Sequence, residues 1–159
     1  MIDHLIEIVF KNISTEKIGS LLKDLSSHGQ KVVSYKCTCD LVDINWGLEK
    51  SIEKAFIENK KFGLFINLNE LSKDGICLPN CGIAVYKDEH TINLELNFQL
   101  SDLKEFKIEG LTKNLMKLAK SIAVHYHIDE YFCGLEPAQD AKTRLFTNEH
   151  LGPFFLKRV

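Results

Sequence analysis

The sequence predicts an α+β domain, with one mixed or mainly antiparallel sheet of about five or six strands and three helices packed on it. Two observations lead to this prediction. Three segments carry their apolar residues at helical spacing on one side only, which is typical of helices that cover a sheet. Residues 91–100 instead alternate apolar and polar side chains. This pattern indicates a strand with one face packed on the core and the other exposed to solvent or covered by a partner.

The N-terminal half is predicted to contain three strands and two helices. Residues 5–10, Leu-Ile-Glu-Ile-Val-Phe, favour a strand because β-branched and aromatic side chains suit a pleated surface. Ser14 is a helix N-cap, since its hydroxyl can accept a hydrogen bond from a free backbone N–H, and Ile13 and Ile18 flank it as a hydrophobic staple. Gly29 ends this helix. A strand, a weaker helix and a third strand follow at residues 31–39, 48–60 and 63–68.

The C-terminal half is predicted to contain a hairpin, the longest helix and a last strand. Lys73-Asp74-Gly75 is a turn signal. Residues 81–86 and 91–100 are then the two arms of a β-hairpin. The segment Leu111–Tyr126 is a helix because its apolar residues line one side. Residues 128–132 form the last strand.

Length and composition fit one cytoplasmic domain. The chain has 159 residues, of which 45% are hydrophobic and 26% charged, as is ordinary for a globular domain. We expect a single domain over 1–159, with a core at 1–134 and an irregular tail at 135–159 packed on it. We also expect no signal peptide and no membrane-spanning helix, because the necessary apolar runs are missing. The five cysteines, an odd number, favour free thiols in a reducing cytoplasm.

The net charge of the chain indicates which classes of partner it can bind. The formal net charge is −2 at pH 7, whereas a nucleic-acid binder needs a net basic face to displace counterions from phosphates. We therefore expect neither a nucleic-acid partner nor a membrane partner.

Four cysteines form a candidate zinc set. Cys37, Cys39, Cys77 and Cys81 could supply four thiolates, the soft ligands that zinc prefers. Their spacings differ from the two intervening residues of the common zinc ribbon, and buried free cysteine packs as a small hydrophobic residue. We expect no metal and no other cofactor.

Two further groups are candidates for catalysis. His125 and His127, followed by Asp129 and Glu130, suggest an acid–base pair or a metal. Cys81 and Cys133 each precede a glycine, which would allow close backbone approach to a nucleophilic thiolate. No third group is positioned by the sequence in either case, so we expect no catalytic residue and keep a thiol- or metal-dependent hydrolase as the alternative.

The last third of the chain contains most of the residues that we expect to bind a partner. Loops as long as this tail are uncommon in compact domains and are often functional. Acidic side chains there would attract a basic partner, because complementary charge speeds encounter and fixes register. Tryptophan is enriched at interface hot spots. The predicted contact residues are Trp46, Asp129, Glu130, Tyr131, Glu136, Asp140 and Arg144.

The format of the chain resembles the small cytoplasmic immunity proteins of bacterial toxin–immunity and contact-dependent inhibition systems. Slight acidity, a single α/β domain and missing catalytic motifs contribute to this resemblance. Its most specific part is the tail, with Tyr131-Phe132-Cys133-Gly134-Leu135-Glu136-Pro137-Ala138, Thr143-Arg144-Leu145-Phe146-Thr147 and Leu151-Gly152-Pro153.

The resemblance implies a non-catalytic protein that binds one cognate toxin tightly and neutralises it. Such a protein would cover the active site of the toxin or another essential surface. The second alternative is a structural or assembly subunit. In that case the solvent-exposed arm of the hairpin would pair with a second copy of the chain in a homodimer.

Overall fold

The computed structural model describes residues 4–27, 32–37, 49–103 and 108–153. The elements within these ranges confirm the α+β class. In chain order they are β1 Leu5–Lys11, α1 Thr15–Ser27, β2 Val32–Cys37, α2 Glu49–Glu58, β3 Lys61–Leu68, β4 Glu70–Lys73, β5 Ile76–Pro79, β6 Gly82–Asp88, β7 Thr91–Gln99, α3 Ile108–Tyr126, β8 Glu130–Leu135 and β9 Arg144–Thr147. Among the helices described, none combines the length and the apolar character that crossing a bilayer requires.

Seven strands form one sheet in the order β2-β3-β6-β7-β1-β8-β9, and each described pairing is antiparallel. The sheet is larger than predicted because residues 144–147 pair with β8 as the edge strand β9. The sequence had assigned these residues to an irregular tail. A strand of four residues is too short to show a clear alternation of its own.

Strands β4 and β5 form a separate two-stranded hairpin. The sequence predicted its turn but not its strands, which are also only four residues long. Asp74 and Gly75 connect them and both have positive φ, 53° and 80°. A two-residue turn of this kind matches the right-handed twist of the strands that it joins.

The start of helix α1 follows the predicted capping arrangement. The Ser14 Oγ accepts a hydrogen bond from the Glu16 backbone N–H at 3.2 Å. Ile13 and Ile18 on either side of this cap are both buried, as a hydrophobic staple requires. The predicted stop at Gly29 lies outside the described residues.

One face of the sheet is covered by the three helices. Directly opposed residues such as Ile8 and Leu96 point to the same face. They share one core with Leu21 of α1, Phe56 of α2 and Leu118 of α3. Each such side chain contributes about 1.5–3 kcal/mol on full burial, so apolar packing holds the helices on this face. The buried covered-face residues of the three central strands are Ile83, Val85, Ile92, Leu94, Leu96, Phe98, Ile6, Ile8 and Phe10.

The opposite face carries the polar residues of the predicted alternation in β7. In the described part of the chain no helix or strand packs on it, and residues after β8 fold over only one end. There the Ala138 backbone N–H donates to the Glu7 Oε2 at 3.0 Å, and the Ala138 side chain is buried with Val9 and Phe132. Strand β7 is bonded to β6 and β1 and so has no free edge for strand pairing with a second copy.

Candidate partner-binding surface

The predicted contact residues of the last third lie at the two ends of strand β8. Asp129, Glu130 and Tyr131 lie where the strand begins, while Glu136 and Asp140 lie beyond its other end. At about 3.3 Å per residue, Glu130 and Glu136 are about 20 Å apart along the strand. The structure therefore places them in two separate groups. Trp46 lies outside the described residues.

The first group lines a shallow groove of about 380 Å³ beside the turn that follows β9. Asp129 and Glu130 are exposed and Tyr131 is half-buried. A second, more apolar groove of about 560 Å³ lies between the same turn and α3, with Lys117 and Lys120 among its lining residues. Tyr131 lines both grooves. This end of the molecule therefore has acidic side chains in the first groove and basic side chains in the second.

Thr147 builds the turn that separates the two grooves. Its Oγ1 accepts hydrogen bonds from the backbone N–H groups of Glu149 and His150 at 3.1 and 3.2 Å. Its own N–H donates to the His150 carbonyl at 2.8 Å. A threonine hydroxyl can replace a backbone partner in this way, and it holds residues 147–150 as a compact turn.

Arg144 makes several intramolecular contacts. Its Nε donates to the Ala138 carbonyl at 3.2 Å, and an Nη donates to the Gln139 carbonyl at 3.1 Å. The guanidinium also lies 4.6 Å from the centre of the Phe132 ring, within the range of a cation–π interaction. These contacts hold the segment after β8 against the sheet.

The uncovered face of the sheet contains a group of residues that we call the acidic face: Glu7, Glu95, Glu136, Tyr86 and Phe65. Glu95 lies opposite Val9 of β1 and Ala84 of β6, so it occupies the centre of the sheet. Tyr86 is 42% exposed, and its ring packs edge-on against Phe65 with centroids 5.7 Å apart.

The carboxylates of the acidic face act on one another. Burial raises the pKa of Glu95, and the charges of Glu7 and Glu136 raise it further. Burial also raises the pKa of Tyr86, with smaller contributions from Glu95 and Glu7. Within the described ranges, no basic side chain forms an ion pair with any of the three glutamates. Three like charges therefore lie close together, and Lys36, which lies opposite Phe65 in the register of β2 and β3, is on the same face without forming an ion pair with them.

The sequence prediction included Glu136 but missed Glu7, Glu95, Tyr86 and Phe65. The alternation in β7 was a usable signal, because it placed Glu95 on the face away from the core. Nothing in the sequence showed that β1 and the segment after β8 would bring Glu7 and Glu136 to the same face.

The candidate zinc cysteines differ in their surroundings. Cys77 is exposed and donates to the Glu70 Oε2 at 3.4 Å, whereas Cys81 is buried. Cys39 and the side chain of Cys37 lie outside the described residues. In the ranges that the structure describes, no group of three or more His, Cys, Asp or Glu side chains is arranged to hold a metal ion.

The candidate nucleophiles are poorly suited to that role. Burial raises the pKa of Cys81 to about 12 and also raises the pKa of Cys133. The thiolate is the reactive form of cysteine, and at neutral pH both groups are protonated. His125 and His127 are exposed, and the His125 ring packs edge-on against Tyr126 at 4.7 Å.

The fold and these surfaces define an α+β domain in which, among the described residues, one face of the main sheet is left largely uncovered and carries a cluster of three carboxylates. The sequence matches the family model of the PABL017 Cdi1I immunity protein over residues 4–151. This match spans most of the chain, and the protein belongs to that family. The predicted resemblance to immunity proteins of contact-dependent inhibition systems is thereby confirmed.

A solved structure agrees with this assignment. The chain is similar to one chain of the 1.75 Å crystal structure of the toxic C-terminal tip of CdiA from Pseudomonas aeruginosa in complex with immune protein. The TM-score is 0.79 at 25% sequence identity, and the match covers 96% of this chain and 99% of that chain. The comparison with curated proteins gave no match.

Proposed function

We propose that this protein binds a cognate CdiA-type toxin tip and neutralises it without catalysing a reaction. The observation that carries the proposal is the family match over residues 4–151. The likeness, over nearly the whole chain, to a chain from a complex of a toxin tip with immune protein supports it. In this proposal the protein covers the active site of the toxin or another essential surface.

The surface of the molecule is large enough for this role. A stable protein interface covers about 800 Å² on each partner, and the accessible surface of the molecule is 9048 Å². The buried, protonated thiols of Cys81 and Cys133 favour a binding role over the thiol-hydrolase alternative. The free cysteines among the described residues favour a reducing cytoplasm as the place of action.

The predicted contact residues remain our proposal for part of the interface. Asp129, Glu130, Glu136 and Asp140 are all exposed, as a contact residue must be. A patch of about 800 Å² is about 30 Å across, which exceeds the length of β8. One toxin can therefore contact both ends of this strand. Trp46, Tyr131 and Arg144 complete the proposed set.

The test uses the products of the genes beside the gene for this protein, among which we expect a CdiA-type toxin tip. We expect the two purified proteins to bind with submicromolar affinity, and the activity of the toxin to fall in proportion to added protein until it vanishes near equal amounts. An immunity protein for an unrelated toxin is the control. No binding at micromolar concentrations would contradict the proposal. Loss of toxin activity at a small fraction of equal amounts would indicate an enzyme instead.

A further inference from the structure

We propose that the acidic face is the surface on which the toxin docks, with an Arg or Lys side chain of the toxin seated over Glu95 and Tyr86. The partner chemistry is thus a basic patch on the cognate toxin. This inference rests on the proposed function and goes beyond it, because it assigns the interface to the uncovered face of the sheet and specifies the charge of the partner.

The acidic face is accessible in the free protein. Tyr86 is 42% exposed, and Glu7, Glu95 and Phe65 are each half-buried rather than covered. No helix or strand in the described ranges packs over them. A half-buried aromatic ring beside polar groups is typical of the centre of an interface, where large rigid side chains give contact area at little cost in entropy.

Charge complementarity specifies the partner. Glu7, Glu95 and Glu136 come from three separate parts of the chain and have no basic partner in the described residues. A guanidinium or ammonium group from outside would offset their repulsion through charge-assisted hydrogen bonds. The face of the Tyr86 ring adds a favourable site for the same cation. An acidic or purely apolar partner would leave the repulsion unrelieved.

The rival for the centre of the interface is the pair of grooves beside the turn at residues 147–150, whose residues Asp129, Glu130 and Tyr131 would lie at the edge of an interface centred on the acidic face. That surface has Lys117 and Lys120 on one wall and Asp129 and Glu130 on the other side of the turn. Its neighbouring acidic and basic side chains attract a basic partner less than the three carboxylates around Glu95, from which Lys36 of β2 is separated by β3 and β6. The Glu149 side chain belongs to both grooves, so it reports on this rival site.

The experiment compares identical Glu-to-Gln changes at different places. We expect Glu95→Gln and Glu136→Gln each to weaken toxin binding roughly tenfold, mostly through slower association at low salt. Glu16→Gln, at an exposed position of α1, is the control for an unrelated surface, and Glu149→Gln tests the grooves. Association and dissociation rates are measured by surface plasmon resonance over a series of salt concentrations, with folding checked by circular dichroism.

The outcomes separate the inference from the proposed function. If the wild-type protein does not bind the toxin, the proposed function fails and the inference falls with it. If the wild-type protein binds and Glu95→Gln and Glu136→Gln bind equally well, only the assignment to the acidic face is overturned. A selective loss in Glu149→Gln would overturn it in favour of the grooves. A loss in the two face variants, with Glu16→Gln unchanged, supports it.

Discussion

Glu95 is a charged residue at a position where charge is unfavourable to the folded state. It lies half-buried in the central strand β7, between β1 and β6. Burial and the charges of Glu7 and Glu136 all favour its protonated form. A residue chosen only for stability at this position would be uncharged. Raised carboxyl pKa values occur often at functional sites, in keeping with the docking surface that we propose.

The pH dependence of Glu95→Gln tests this interpretation. Because the pKa of Glu95 is raised in the folded state, the folded protein holds this proton more tightly than the unfolded chain, and the contribution of Glu95 to stability falls as pH rises through the raised pKa. Glu7 and Glu136 are the charges that raise the pKa of Glu95, and Tyr86, Lys11 and Lys36 lie on the same face by strand register. We therefore expect Glu95→Gln to raise the urea midpoint at pH 7, by an amount that shrinks as the pH is lowered towards the ordinary range of a glutamate.

Glu16→Gln is the control for this experiment as well. Glu16 lies in the first turn of α1, where a negative charge interacts favourably with the helix N-terminus. This control variant should not gain stability at pH 7. If Glu95→Gln is the less stable of the two at that pH, the repulsion on the acidic face does not have the effect that we describe.

The β4–β5 hairpin illustrates how a short element depends on its neighbours. It is separate from the main sheet, and its residues Leu71, Ile76 and Leu78 are buried in the core on the helix side. The Lys73 Nζ lies 3.3 Å from the Asp24 Oδ2 of α1, and the Tyr126 hydroxyl of α3 donates to the same oxygen at 2.9 Å. An isolated two-stranded hairpin is marginal in water, so these contacts hold it in place.

Two glycine substitutions test the role of backbone conformation in these elements. Gly75 has a φ of 80° and Gly110 is in α3, and an added Cβ would meet no atom within 4 Å at either position. We expect Gly75→Ala to destabilise the protein by about 1 kcal/mol, because alanine is strained at positive φ. Gly110→Ala should stabilise it by about 0.5–1 kcal/mol, because alanine is the better helix former. Urea unfolding of both variants gives the two free energies, and changes of the same sign would contradict the argument.

At the scale of the whole molecule, the protein has two unlike sides. Three helices and the β4–β5 hairpin share the core on one side of the sheet, while in the ranges that the structure describes the segment around Ala138 covers one end of the other side. Most of the buried apolar side chains lie in the core on the helix side. Polar and charged residues can therefore occupy the uncovered face without loss of the core.

Toxin binding should stabilise the whole molecule. A ligand that binds only the folded state adds about 2.7 kcal/mol at a free concentration one hundred times its Kd. We expect the thermal midpoint of the protein to rise steadily as toxin tip is added, and an unrelated toxin tip to leave it unchanged. Thermal unfolding followed by fluorescence or calorimetry measures this shift. An unchanged midpoint at saturating cognate toxin would show that the folded state is not what the toxin recognises.

Local patterns predicted the regular elements well. The Ser14 cap and the apolar spacing of residues 111–126 anticipated α1 and α3, since caps and periodicity act within a few residues of the chain. The alternation at residues 91–100 likewise anticipated β7. The short strands β4, β5 and β9 were missed because four residues are too few to show a period. Strands β4 and β5 pair with each other across a two-residue turn, and β9 pairs with β8 after a connecting segment.

The amino-acid sequence alone determined the α+β class, the main helices and strands, and the polar character of one side of β7. Only the tertiary structure decided that Glu7, Glu95 and Glu136 share one face, while Asp129 and Glu136 lie at opposite ends of β8. The physical reason is that β1 pairs with both β7 and β8. Hydrogen bonding between strands that are far apart in the chain, rather than any local preference, brings these three carboxylates together.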